Sequence, residues 1–247
     1  MPFSIRHAKR IVTLSDYTKR EIIKEWQVPQ EKVVVIPGAP SSLFGHHASP
    51  QIESAVRAGY GLDTPYILYV GTLEPRKNVI RLVEAFHSIY KMGMTEYSLV
   101  LVGRPGWGLR ALYTAVEQST LKDRIKLLHF VQDQDLSAIY RGADVFVYLS
   151  LYEGYGFPPL EAMACGIPVV VSNRASIPEC VGDGGIFVDP CDIEDITGKV
   201  LPLLKDKELR HEVSMRGFFQ SQKFSWEKSG AMTLALYRQM CGMSPAV

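Results

Sequence analysis

Cysteine is scarce and unpatterned in this chain. Its 247 residues include four, Cys165, Cys180, Cys191 and Cys241. None stands in a Cys-x-x-Cys spacing, which argues against a zinc framework, and reduced thiols in a cytoplasmic protein are the expectation. Charge of one sign is also missing. A net charge of +1 leaves no electrostatic footprint for nucleic acid or an anionic membrane, so any attraction for an anion must be local. No run reaches the roughly 18 apolar residues of a membrane helix. The opening MPFSIRHAKR lacks the apolar core of a secretion signal. Membrane contact is therefore expected to be peripheral at most. No internal repeat or low-complexity tract occurs.

What the chain has is an apolar content of 47%, ample for a sizeable core in roughly one or two domains. Short apolar runs at 10–14, 32–36, 66–70, 98–102, 124–128, 144–149, 168–171 and 185–188 read as strands. Helical patterns at 78–92, 109–119, 134–141 and 158–165 separate the later ones. The runs YILYV and SLVLV are apolar at nearly every position. Continuous apolar strands alternating with helices predict an α/β fold with a parallel sheet covered on both faces. Its form would be a Rossmann-like, doubly wound sheet with ligands beyond the carboxyl ends of the strands.

Residues 16–27 read as a helix capped by Asp16, and 38–50 as a linker rich in turn residues. The segment 192–222 reads as two helices broken near 205–207. Ser225 then caps a last helix. A strand and a helix before the linker cannot bury their own faces as a separate domain.

Two loops carry the functional signal. In YVGTLEPRKN, a buried strand ends at Val70, Gly71 lets the backbone turn, and Arg76 and Lys77 precede a helix that Asn78 is expected to cap. Cations beside free helix-start N–H groups make an anion site. In EGYGFPPLEAMACGIPVVVS, Gly154 and Gly156 allow close approach of a ligand and Pro158 suits a first helical turn. The N–H groups of Gly156 and Phe157 would face outward there. Glu153 and Glu161 flank that helix start. Alone, Glu161 also fits a dipole-favoured first-turn residue and Glu153 a solvated loop carboxylate. Together the loops offer anion donors and hydroxyl acceptors at the ends of parallel strands, a match for a ligand with phosphates and several hydroxyls.

The stretches YILYVGTLEPRKNVIRLVEAF, LVLVGRPGW, ADVFVYLSLYEGYGFPPLEAMACGIPVVVS and SIPECVGDGGIFVDP resemble the donor-binding domain of retaining GT-B glycosyltransferases, group 1 (family 4-like). The fold would then be the C-terminal half of a GT-B fold. Two glutamates separated by seven residues, here Glu153 and Glu161, are that family's signature. The resemblance implies roles. Glu153 would contact the donor sugar near its anomeric centre, and Glu161 the ribose. Lys77, with Arg76, would neutralise the diphosphate, helped by the amides around Gly156 and Phe157. The base would rest near Phe130 and Val131, and Gly71 would allow close phosphate approach. Many relatives have arginine directly after that glycine; this chain has Thr72, for which Arg76 or Arg104 would compensate.

The resemblance further implies a metal-independent transfer with no cofactor beyond the nucleotide diphosphate sugar. GDP-mannose is the favoured donor and a glycan or lipid-linked molecule the acceptor, in polysaccharide biosynthesis. It divides the chain into 1–37, the end of an N-terminal acceptor domain; 38–65, a linker and the helix leading in; 66–222, the donor domain; and 223–247, a helix that would pack back on the first domain. Most of the acceptor half is expected to be absent, so a separate N-terminal domain or self-association is an expected partner, and this chain alone is expected to transfer little. The alternative is a non-catalytic nucleotide-sugar-binding or interaction module, or a truncated inactive fragment; a third is a sugar-nucleotide epimerase. Three further features are discounted as sites. Asp133 and Asp135 read as helix caps rather than as a metal motif. GRPGWG lacks a dinucleotide spacing. His46 and His47 read as solvent-exposed, and His129 is given no role.

Overall fold

The computed structural model describes residues 3–45 and 49–242; His46 and His47 lie outside them. Among the described residues, eight strands form two parallel sheets. In the first, β1 (Ile11–Thr13) pairs with β2 (Val33–Val35). The second contains β3 (Tyr66–Val70), β4 (Ser98–Val102), β5 (Ile125–Leu128), β6 (Val145–Tyr148), β7 (Val169–Ser172) and β8 (Ile186–Val188). Its spatial order is β5-β4-β3-β6-β7-β8. The helices are α1 (Phe3–His7), α2 (Asp16–Trp26), α3 (Pro50–Gly59), α4 (Val79–Lys91), α5 (Arg110–Glu117), α6 (Asp133–Arg141), α7 (Phe157–Ala164), α8 (Ile177–Val181), α9 (Ile193–Lys205), α10 (Lys207–Ser221) and α11 (Trp226–Met240).

Every residue of β3, β4, β6 and β7 is buried. A strand covered on both faces must be apolar on both, so these runs show no period-two alternation. Helix α4 turns Leu82, Val83, Phe86 and Ile89 into that core. The expected doubly wound parallel sheet is present, and one consequence of its order positions the site. The chain runs outward from β3 to β5, returns to the middle, and runs outward the other way from β6 to β8. Strands β3 and β6 are therefore adjacent, with Ile67 opposite Val145 and Leu68 opposite Phe146. Beyond their carboxyl ends the flanking loops diverge and leave a crevice.

Two expected caps fall elsewhere, and a third keeps its position without a side-chain capping bond. Ser15, not Asp16, caps α2, its hydroxyl accepting the Thr18 N–H at 3.1 Å; Asp16 is the first helical residue, where its charge favours the helix dipole. Gln132 precedes α6, Asp133 starts it, and Asp135 accepts a hydrogen bond from the Tyr60 hydroxyl at 2.9 Å. Asn78 stands at the cap position of α4 in a left-handed conformation, but its side-chain amide donates to the Pro190 carbonyl at 2.6 Å. Pro158 is the second residue of α7, after Phe157.

Candidate functional site: a charged crevice between β3 and β6

The turn after β3 and the loop after β6 meet over the crevice. Gly71 sits at φ 152°, and a Cβ there would come 2.9 Å from the Tyr69 hydroxyl. That hydroxyl donates to the Thr72 carbonyl at 3.2 Å, so the turn is held from beneath by the strand it leaves. A short 3-10 turn, Pro75–Lys77, then swings Lys77 back over the strand ends, where it is buried. On the other side, the Ser176 hydroxyl lies 2.8 Å from the Glu153 carbonyl and 2.6 Å from the Tyr155 carbonyl. It fixes the loop that carries Glu153 into the crevice. Gly156 has φ 146°, and a Cβ there would come 2.7 Å from Cys180 Sγ, so both glycines are required by backbone conformation and space.

The charges of the two loops meet. Lys77 Nζ donates to Glu153 Oε1 at 2.5 Å and to the Tyr148 hydroxyl at 2.8 Å. Tyr148 in turn donates to Glu153 Oε1 at 2.9 Å. Arg76 Nη1 lies 3.1 Å from Glu153 Oε2, and its Nη2 lies 2.5 Å from Glu74 Oε1. Burial pushes the Glu153 carboxyl up, but the hydrogen bonds from Lys77, Ser150 and Tyr148 outweigh burial and hold it below its ordinary value. It is thus a carboxylate at neutral pH. Glu161 goes the other way. Burial raises it, and the Tyr140 hydroxyl, donating to Oε2 at 2.9 Å, offsets only part of that.

Gly71, Thr72, Lys77, Glu153, Gly154, Gly156 and Phe157 line one cavity of about 610 Å³. At the start of α7 the donors are few: Pro158 and Pro159 have no N–H, and the Leu160 N–H goes to the Gly156 carbonyl at 3.3 Å, which leaves the Phe157 N–H without an intrahelical partner. Arg76 is brought to Glu153 but does not line the cavity; its guanidinium is engaged by two carboxylates and by the Tyr152 carbonyl at 2.5 Å. Glu161 lies behind, against Tyr140. Arg104 is exposed, and only its carbonyl is used locally, accepting from the Leu73 N–H. Phe130 is exposed and Val131 half-buried, both after the edge strand β5. His129 is exposed and edge-on to Tyr113. Among the described residues no three His, Cys, Asp or Glu side chains gather as a metal site. No described helix is long and apolar enough to cross a membrane.

Two contributions escape sequence reasoning. Tyr148 reads as one more apolar strand residue, yet it ends β6 with its hydroxyl between the two charges. The second is the wall supplied by Val12, Thr13, Leu14, Thr18 and Ile22 from the first sheet and α2. The hydroxyls of Ser15 and Thr18 hold that wall in place, donating to the Gly154 carbonyl at 2.7 and 2.9 Å. A strand-terminal tyrosine next to a loop glutamate was the available signal for the first. Nothing local signals the second.

Comparison with known proteins fits this geometry. Residues 53–218, more than half of the chain, match the family model described as glycosyl transferases group 1. The O-antigen chain mannosyltransferase B of Escherichia coli is 38% identical over 235 residues, covering 95% of this chain and 62% of that protein. The serotype-specific mannosyltransferase WbdA of Escherichia coli is 30% identical over 231 residues, covering 92% of this chain and 28% of that protein. The chain thus spans less than two thirds of either relative. The crystal structure of Anabaena Alr3699/HepE in complex with UDP and glucose superposes with a TM-score of 0.83 at 20% identity, covering 95% of this chain and 64% of that one. At that identity the likeness is one of fold.

Proposed function

This chain belongs to the group 1 glycosyl transferases, and from that premise we propose that it is the donor-binding half of a retaining transferase. The reading has it move a sugar, with mannose from GDP-mannose favoured, to a glycan or lipid-linked acceptor in cytoplasmic polysaccharide assembly. One observation carries it. A buried lysine, a carboxylate and a glycine-opened helix start line one cavity at the switch point of a parallel sheet. The mannosyl preference is supported by the two mannosyltransferase relatives. The cytoplasmic setting is supported by four free cysteines, the buried thiols of Cys165 and Cys180 being pushed by burial up to about 12.

In this reading the donor's diphosphate lies between Lys77 and the amides of Gly156 and Phe157. Lys77 exchanges Glu153 for phosphate oxygen, and the freed carboxylate accepts a hydroxyl of the donor sugar. The bond from the anomeric carbon to phosphate oxygen then breaks, and its electron pair stays on the leaving phosphate, where Lys77 and the Gly156 and Phe157 amides stabilise the new charge. The acceptor hydroxyl bonds to the anomeric carbon from the same face and gives its proton to the departing phosphate. Glu161 serves the ribose, and Phe130 and Val131 the base. Residues 3–37 are the end of an acceptor-side unit, and the last helix packs toward it.

Calorimetry with GDP-mannose, GDP, UDP-glucose and ADP-glucose tests the reading. GDP-mannose is expected to bind most tightly. Lys77→Ala is expected to weaken GDP and GDP-mannose alike by about 1.5–3 kcal/mol, the scale of a charge-assisted hydrogen bond. Glu153→Ala should weaken only the sugar-bearing ligand. Failure of all four ligands to bind, or equal losses for GDP and GDP-mannose on Glu153→Ala, overturns it.

A further inference from the structure

Lys77 and Glu153 come from loops 76 residues apart, and one neutral group touches both. We infer that the Tyr148 hydroxyl is a positioning group that keeps the Glu153 carboxylate aimed into the cavity while Lys77 changes partner. The inference rests on the donor-binding reading of Glu153 given above.

The geometry is a closed triangle. Lys77 Nζ, the Tyr148 oxygen and Glu153 Oε1 are 2.5 to 2.9 Å apart. A tyrosine hydroxyl has one proton to donate and lone pairs to accept with. Lys77 has only donors, so the tyrosine proton must go to Glu153 and its lone pairs must face Lys77. That polarity is stable, because burial and then the Glu153 charge push the phenol well above its ordinary value and keep it protonated. The ring has no freedom to turn away. It is fully buried and stacked on Tyr69, with centroids 5.8 Å apart, and on Phe146, at 5.9 Å. The hydroxyl is therefore a fixed point, whereas Lys77 and Glu153 are side chains with several rotatable bonds.

The consequence concerns what happens when a diphosphate claims Lys77. Without Tyr148, Oε1 would lose its one cation and face a low-dielectric wall, an arrangement that favours protonation or rotation of the carboxyl. The Tyr148 hydroxyl keeps donating to Oε1, and Arg76 keeps its hold on Oε2. The carboxylate remains charged and oriented, ready for a sugar hydroxyl. Tyr148 lines the same cavity as Lys77 and Glu153, but its one proton is given to Oε1, so it acts through Glu153. The titratable groups around Glu153 are Lys77 and Arg76 from the turn after β3, Tyr69 from β3, Tyr148 from β6 and Cys180 from α8.

Tyr148→Phe removes the hydroxyl and keeps the stacked ring. Two measurements read the effect. In ligand-free protein carrying 13C-labelled glutamate, the Glu153 signal, assigned with Glu153→Gln, is titrated by NMR. Its midpoint should move up in Tyr148→Phe, since a hydrogen bond to the charged form is lost. In calorimetry, GDP-mannose should bind about tenfold more weakly to Tyr148→Phe, and GDP within about threefold of the wild type. In a Glu153→Gln background the added Tyr148→Phe change should cost GDP-mannose less than about threefold, because the partner it acts through is gone. An unmoved Glu153 midpoint overturns the inference. So does a tenfold loss that is equal in both backgrounds. If the wild type binds no GDP-mannose, the proposed function falls instead, and the Glu153 titration still decides what the hydroxyl does.

Discussion

The two sheets use the same residue types in the same parallel pairing, yet they sit in different surroundings. In the six-stranded sheet, valine and leucine are buried on both faces: Leu99, Val100, Val145, Val147, Val169 and Val170 have no exposed surface. In the two-stranded sheet, Val12 is 51% exposed and Val34 and Val35 are half-buried. Helix α4 buries six residues and α2 none. No described residue before Phe44 belongs to the main core. What fastens the first unit is mostly polar, beside an edge-on contact of Tyr17 with Tyr152 at 5.7 Å. Ser15 and Thr18 reach the Gly154 carbonyl, the Asp16 N–H and Arg20 both meet Glu179 at 2.7 and 3.0 Å, and Ser229 donates to the Pro37 carbonyl. The difference teaches that burial stabilises the large sheet, while directional contacts orient the small one. The contacts of Ser15 and Thr18 end on the loop that carries Glu153, so the first unit is placed as a wall of the site.

That contrast can be broken or sharpened by mutation. The largest effect should come from Leu99→Ala in β4, with a loss of about 2–5 kcal/mol in urea unfolding through lost transfer energy and the cavity left behind. Next is Glu153→Gln, which should cost about 1.5–3 kcal/mol at pH 7 by removing a charge-assisted partner of Lys77. Its pH dependence has a definite sign. The folded Glu153 carboxyl lies below its ordinary value of 4.5. Its contribution is therefore full above that value and lost as pH falls through the folded one. Wild type and variant should converge in acid and separate above about pH 5; a constant gap from pH 3 to 8 contradicts the assignment. Ser15→Ala comes third, at about 1 kcal/mol for a lost cap. It should appear as faster amide exchange in α2 with little change in the global midpoint; unchanged exchange there would mean that the hydroxyl does not anchor the wall. The smallest is Val12→Ala, within about 0.5 kcal/mol as an exposed substitution. If Val12→Ala costs as much as Leu99→Ala, the two sheets are stabilised alike and the comparison is wrong.

Much of the fold was legible because burial on both faces leaves a compositional trace. YILYV and SLVLV could only be central strands, and β3 and β4 begin and end at the expected residues. Helix caps were less legible. Ser15 and Asp16 are adjacent and both capable, and which one caps depends on the direction from which the chain arrives; before α6 stands Gln132, whose side chain makes no capping bond. At the site, Lys77 and Glu153 were both readable from their loops, but their direct contact was not. The residues read as a phosphate ligand and a sugar ligand instead partner each other in this structure, and Arg76 is spent on Glu74, Glu153 and the Tyr152 carbonyl. Tyr148 was hidden because a tyrosine in a buried strand looks like any other large apolar residue until its hydroxyl is placed.

By itself, then, the sequence determined the parallel sheet, the order of its strands along the chain, and the two loops that bear charge and glycine, since each of these is written in local composition and period. Only the tertiary structure decided which charges pair, which hydroxyl stands between them and which distant helix closes the cavity. The Lys77–Glu153, Lys77–Tyr148 and Ser15–Gly154 contacts join positions 70 residues or more apart. Their geometry is set by how strands β3 and β6 come to lie side by side, which no stretch of chain encodes alone.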